Sequence, residues 1–218
     1  LIVMTDGRAE CLARSVATFG RLHGDISQRV IHDDSSTPGY ARHLAENYPG
    51  WTVVSTGRRS GFAGAYRSAW AWLRAHATPF VFSTEDDFLI ARDVDLDAMA
   101  GVLLAQPHLA QVALLRQPWN HTEKAAGGII AADRASFTEH TDGTEHWVEH
   151  RKFFTTNPHM LLSPFIRDHD WPAGEQSEGR FSVELFRQDH AAASAFWGRA
   201  DDPPAVLHIG AQRVGVGY

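Results

Sequence analysis

Apolar residues follow two rhythms along this chain. Short continuous runs at residues 1–4, at Val30-Ile31, at 51–54 and at 80–82 have the length and the β-branched or aromatic content of buried strands. Between them the apolar positions recur at helical spacing. Leu12, Val16, Phe19 and Leu22 form one such set, and Tyr66, Ala69, Trp70 and Leu73 stand at i, i+3, i+4 and i+7. Residues 40–48 read as a helix stopped by Pro49-Gly50, and residues 58–64 as a glycine-punctuated loop. The resulting β-α-β-α-β-α-β alternation over residues 1–90 predicts a parallel α/β sheet.

The pattern is weaker afterwards. Residues 97–105 predict a helix, and residues 112–115 and 128–132 predict strands. A polar stretch rich in His, Thr and Glu then runs to residue 155 and reads as irregular. Residues 160–162 are a short apolar run. Residues 181–189 predict a helix with Val183, Leu185 and Phe186 inward, and residues 206–209 a last strand before a glycine-rich tail. No internal repeat or low-complexity segment divides the 218 residues, so one domain over residues 1–218 is expected.

Composition narrows the choice of function. With 44% hydrophobic and 21% charged residues the chain is ordinary globular material, and a net charge of −6 shows no basic footprint for nucleic acid. No run approaches the roughly 18 apolar residues of a membrane span. Cys11 is the sole cysteine, which excludes an internal disulfide and fits a reducing compartment, so a cytoplasmic protein is expected. Thirteen histidines keep metal chemistry open.

The strongest chemical signal lies at residues 79–90. Phe80, Val81 and Phe82 run directly into Glu85, Asp86 and Asp87, and Phe88, Leu89 and Ile90 follow at once. Carboxylates at the end of a core strand are costly unless paired. A hard divalent cation, Mn²⁺ or Mg²⁺, holding a phosphate would pair them. A helix-starting acidic cluster is the plainer reading of the same residues.

Four segments together make residues 1–95 resemble the nucleotide-binding half of GT-A glycosyltransferases, family 2 in particular. Leu1-Ile2-Val3-Met4-Thr5-Asp6-Gly7-Arg8 is similar to that family's first strand and loop. Ile31-His32-Asp33-Asp34-Ser35-Ser36 is similar to its Asp-Asp-x-Ser turn, and Gly61-Phe62-Ala63-Gly64-Ala65 to its third loop. Glu85-Asp86-Asp87 stands where its Asp-x-Asp metal motif (DXD motif) stands. Two departures are visible: Arg67 replaces the family's Asn, and Glu85 opens the metal motif.

The resemblance implies an α/β fold, the GT-A (Rossmann-like) mostly parallel sheet flanked by helices. Residues 1–95 would be the nucleotide-sugar-binding half and residues 96–218 an irregular acceptor-binding half. It implies a metal-dependent hexosyl- or pentosyltransferase, inverting, with a nucleotide-diphosphate sugar donor, uridine-type favoured. The acceptor is left open among a glycan, a lipid-linked glycan, a protein and a modified nucleobase. Ligands of open α/β sheets sit beyond the carboxyl ends of the strands, where all four segments fall. Thr5, Arg8 and Gly61 would line the donor, Asp34 would accept from the base, Asp86 would face the ribose and Asp87 would hold the metal. A late His is a metal ligand in many GT-A enzymes, and His208 is similar in placement.

An inverting transfer needs a base for the acceptor hydroxyl. The resemblance puts it in the second half near a helix start, where Glu175, Glu178 and Glu184 are candidates. Glu184 is favoured, because its apolar frame (Phe181, Val183, Leu185, Phe186) would desolvate it. Trp119, Trp147 and Trp171 are either core anchors or stacking surfaces for an acceptor. Two other readings stand beside this one. His146-Trp147-Val148-Glu149-His150 spells the H-x-x-E-H pattern of zinc peptidases, which needs a helix to bring both histidines to one ion. A nucleotide-sugar-binding module without catalysis is the other. An NAD-type enzyme is disfavoured, since no G-x-G-x-x-G follows the first strand.

Overall fold

A computed structural model describes residues 1–210. The first half follows the predicted alternation: β1 (Ile2–Thr5), α1 (Ala9–Val16), β2 (Leu22–His23), β3 (Val30–Asp33), α2 (Tyr40–Asn47), β4 (Thr52–Ser55), α3 (Gly61–His76) and β5 (Phe80–Glu85). Then come β6 (Phe88–Ile90), β7 (Val94–Asp95), α4 (Leu96–Ala105), β8 (Leu109–Ala113), α5 (His121–Ala126) and α6 (Ile129–Ala132). The chain continues through β9 (Phe137–Thr141), β10 (His146–His150), β11 (His159–Leu162), α7 (Ser163–Asp168), α8 (Ser177–Gln188), β12 (Ala193–Trp197) and β13 (Val206–His208).

Nine strands form one sheet in the order β4-β3-β1-β5-β11-β8-β12-β10-β9. The four strands of the first half are mutually parallel. The second half mixes directions, since β11 runs antiparallel to both β5 and β8 while β12 runs parallel to β8. Alternation along β1 sorts the two faces. Val3 packs with Leu12, Leu44 and Met99 on the face of α1, α2 and α4, and Ile2 and Met4 pack with Trp70, Ile166 and Phe181 on the face of α3, α7 and α8. Both faces of the central strands are therefore covered, which is why they read as unbroken apolar runs.

Four expectations are corrected. Residues 128–132 form α6 rather than a strand. Left-handed Gly127 (φ 91°) ends α5, and Ile129 and Ile130 open a short helix instead of an extended run. The polar stretch to residue 155 contains the antiparallel hairpin β9–β10, anchored by buried Phe137, Trp147 and Val148. Val183 is exposed rather than inward. The H-x-x-E-H segment is strand β10, not a helix. At about 3.4 Å per residue its two histidines lie roughly 14 Å apart, with Glu149 on the opposite face, so they cannot share an ion. His146 Nε2 lies 2.7 Å from Arg199, Glu149 pairs with His108 at 3.1 Å, and His150 packs against Phe137, Phe153 and Phe196. The zinc-peptidase reading falls with the helix it required. The glycine-rich tail from residue 211 lies outside the described residues. Among the described residues no helix is long and apolar enough to cross a membrane.

Candidate active site

The carboxyl ends of β1, β3 and β5 converge at one place, and most of the sequence-predicted donor and metal residues lie there. Thr5 ends β1, and its Oγ1 donates to Asp86 Oδ2 at 2.7 Å. The Asp86 amide donates back to Met4 at 2.9 Å, so the turn after β5 is pinned onto β1. Arg8 reaches over from the loop after β1. Its Nη1 donates to Asp87 Oδ2 at 2.5 Å and its Nη2 to Asp86 Oδ1.

Asp34 follows β3 and serves the third loop. Its carboxylate accepts from the amides of Ser60 (3.0 Å) and Gly61 (2.9 Å) and from the Ser60 hydroxyl. Those amides open α3, where a carboxylate is favoured by the orphan N–H groups and the helix dipole. Gly61 sits at φ 73°, a conformation that costs other residues energy. Asp33 joins the strands themselves, accepting from the Ser35 amide and the Ser55 hydroxyl. Asp34→Ala should lower protein stability by about 1–3 kcal/mol, since the Ser60 and Gly61 amides lose a charged acceptor. A thermal melt without any nucleotide checks this; an unchanged melt would leave Asp34 no structural part. Arg67 is exposed on α3.

Asp87 meets the late histidine. β13 pairs antiparallel with β6, opposing His208 to Phe88, and the Ile209 amide donates to the Asp87 carbonyl at 2.8 Å. Gln117 holds the same strand from the other side, donating to the His208 carbonyl and accepting from its amide, both at 2.9 Å. The His208 ring stacks on Phe88 and on Trp119, with centroids 4.6 and 4.3 Å away. Its Nε2 lies 3.4 Å from Asp87 Oδ2. Burial pushes the Asp87 carboxyl up, but hydrogen bonding from His208 and the charge of Arg8 outweigh it and hold the group below its ordinary value.

A divalent ion fits this pair. Asp87 Oδ1 is buried with no hydrogen-bond partner, an expensive state for a carboxylate oxygen unless something else satisfies it. The backbone at Gly210 passes so close that a Cβ there would overlap Asp87 Oδ2 and stand 2.8 Å from His208 Nε2. One carboxylate and one imidazole, with the remaining positions left to substrate oxygens, suit Mn²⁺ better than Mg²⁺, since the harder ion prefers oxygen donors throughout.

Beside the pair opens a cleft of about 320 Å³ lined by Glu85, Phe88, Arg116, Thr156, Glu178 and His208 among others. Glu85 accepts from the Tyr66 hydroxyl at 3.0 Å, and burial followed by repulsion from Asp87 and Glu178 pushes it up to about 8. Glu178 lies in the first turn of α8 and accepts from the Thr156 amide (2.6 Å) and hydroxyl (3.1 Å). Burial raises its pKa, against the pull of those bonds and of Arg116. Arg116 itself is forked onto Glu123 at 2.6 and 3.0 Å.

Glu184 is not in the cleft. It is exposed on α8 and accepts from Gln188 at 2.9 Å. The helix frame explains the exchange. Phe181, Ser182 and Leu185 face inward, and Glu178 precedes them by one turn on that same side, whereas Glu184 is about 100° off it. The helix expected from residue 181 already begins at Ser177. Of the tryptophans, Trp147 and Trp171 are core, and Trp119 alone of the three touches the site. Sequence reasoning passed over Tyr66, Arg116 and Gln117; Tyr66 was visible only as one member of an apolar helix face.

No family model matches the chain, and no curated protein matches it. Solved structures do. GalNAc-T7 with UDP, GalNAc and Mn²⁺ superposes with a TM-score of 0.66 at 10% identity, over 96% of this chain and 42% of that one. Residues 1–349 of TarS from S. aureus with UDP-GlcNAc give 0.63 at 14% identity, over 98% and 58%. The mannosyltransferase PcManGT from Pyrobaculum calidifontis with GDP-Man and Mn²⁺ gives 0.62 at 18% identity, over 99% and 57%. This chain thus spans about half the length of the structures it matches. The fold is the GT-A fold that they share.

Proposed function

We propose that this chain is a metal-dependent glycosyltransferase that moves a sugar from a nucleotide-diphosphate donor to an acceptor hydroxyl, with inversion. One observation carries the reading: Asp87, with an unsatisfied buried oxygen, and His208 meet at the carboxyl ends of the parallel strands, beside a cleft that holds a desolvated carboxylate. The GT-A neighbours, solved with UDP, UDP-GlcNAc or GDP-Man and in two cases with Mn²⁺, support it.

Asp87 and His208 would hold the ion. When bound, it neutralises diphosphate charge and so favours the leaving group. Arg8 and Thr5 line the phosphate side, and Asp34 keeps the Ser60–Gly61 loop in place at the donor's edge. Glu178 replaces Glu184 as the proposed base. Its oxygen takes the proton of the acceptor hydroxyl as the new C–O bond forms on one face of the sugar carbon and the bond to the diphosphate breaks on the other. Thr156 orients that carboxylate. The exposed frame of Glu184 gives it no such opportunity.

A uridine-type donor remains the favoured choice. A thermal-shift panel of UDP- and GDP-sugars, each with and without Mn²⁺, tests the whole reading. The preferred donor should raise the melting point by mass action, and more so with the ion. No shift with any nucleotide sugar would overturn it. A shift without sugar transfer or donor hydrolysis would favour the non-catalytic binding module.

A further inference from the structure

Resting on that reading of the site, we infer that Arg8 is the site's own resident cation: its guanidinium occupies the carboxylates until a donor diphosphate draws it away, so that the divalent ion enters with the donor and not before it. The guanidinium spans both carboxylates, Nη1 on Asp87 Oδ2 and Nη2 on Asp86 Oδ1, while Nε stands 3.1 Å from Asp6 Oδ1. Asp86 and Asp87 are 0% and 1% exposed at their side chains, against 24% for Arg8. The cation is therefore the member of the cluster that reaches the rim and can leave.

Two adjacent buried carboxylates without a counter-charge are strongly disfavoured. Arg supplies the charge with a planar fork that matches two oxygens at once. The Asp87 oxygen that Arg8 holds is the same Oδ2 that faces His208 Nε2 at 3.4 Å. A divalent ion between Asp87 and His208 would sit beside that oxygen, whether it takes Oδ2 or the unpartnered Oδ1 of the same carboxylate, and two cations at one carboxylate repel. A diphosphate changes the balance, because it adds negative charge beside the cluster and offers the guanidinium an equally good bidentate partner. Arg8 stands at the N-cap of α1 on a long side chain, after Gly7 at φ 96°.

Mn²⁺ binding to the whole chain, followed by electron paramagnetic resonance of the free ion, tests the exchange. Without nucleotide, Arg8→Gln should bind Mn²⁺ at least about tenfold more tightly than the wild type. The gain should vanish in Arg8→Gln/Asp87→Asn. Adding UDP or GDP should tighten Mn²⁺ binding in the wild type and much less in Arg8→Gln. Arg8→Lys, which keeps the charge but not the fork, should fall between them and serves should Arg8→Gln fold poorly. If wild type binds Mn²⁺ with UDP or GDP, but neither variant binds the ion alone more tightly than wild type, the inference is overturned and the metal site stands. If no form binds Mn²⁺ with or without nucleotide, the metal site is overturned together with the inference.

Discussion

Asp87→Asn should abolish sugar transfer, a loss of about 10³-fold or more, because several kcal/mol of charge stabilisation at the leaving diphosphate depend on the ion. The substitution keeps the side chain's shape, so Ile209 still bonds the Asp87 backbone carbonyl and β13 still pairs with β6. Circular dichroism should stay close to wild type, while the melting point should fall modestly because the buried carboxylate's charged bond to Arg8 is weakened. The Mn²⁺-dependent part of donor binding should disappear, while the metal-independent part, from the loops after β1 and β3, should remain. Activity within a few fold of wild type would remove Asp87 from the mechanism. Equal loss of donor affinity with and without Mn²⁺ would mean that Asp87 shapes the loop rather than holds an ion.

Glu178→Gln should cut turnover by about 10²–10⁴-fold, the usual contribution of a positioned base, with donor affinity nearly unchanged. Glu184→Gln should leave turnover near normal. The reverse result would restore Glu184 and refute the assignment. The pH profile gives a second test. The base form of Glu178 is the charged one, and burial raises its pKa above the ordinary carboxylate value. Wild-type turnover should therefore climb with pH through that raised value and level off above it. Stability runs the opposite way. A carboxyl whose folded pKa exceeds its unfolded one stabilises the fold below the unfolded value, and that contribution is lost as pH rises through the folded one. At pH 8 the Glu178→Gln protein should thus melt no lower than wild type, which separates a missing base from a damaged fold.

The first half was legible because its signals are local. Each strand is a continuous apolar run ended by polar residues, and covering both sheet faces with helices makes such runs necessary. The acid triplet and the Asp33-Asp34 turn could be placed at strand ends from spacing alone. What Asp34 does could not, since its partners Ser60 and Gly61 lie far along the chain. The second half hid for other reasons. β11 is only four residues long, yet it inserts between β5 and β8, a position fixed by pairing across the sheet rather than by local pattern. The choice among Glu175, Glu178 and Glu184 turned on where α8 starts. A start at Ser177 instead of residue 181 changes which carboxylate the inward face carries.

The hairpin β9–β10 was missed because its outer strand is polar, and that polarity has a use. The described sheet ends in β4 on one side and in β9 on the other. An end strand offers unpaired amides and carbonyls to any other strand that arrives, including that of another copy of the chain. On β9, Thr138, Glu139 and Thr141 are exposed, and Glu139 is held in an ion pair with Arg134 at 2.6 Å. A second sheet docking edge to edge would have to strip water from that carboxylate and guanidinium before gaining a single ladder bond. The residues that break the hydropathy pattern therefore make the β9 edge costly for another strand to join.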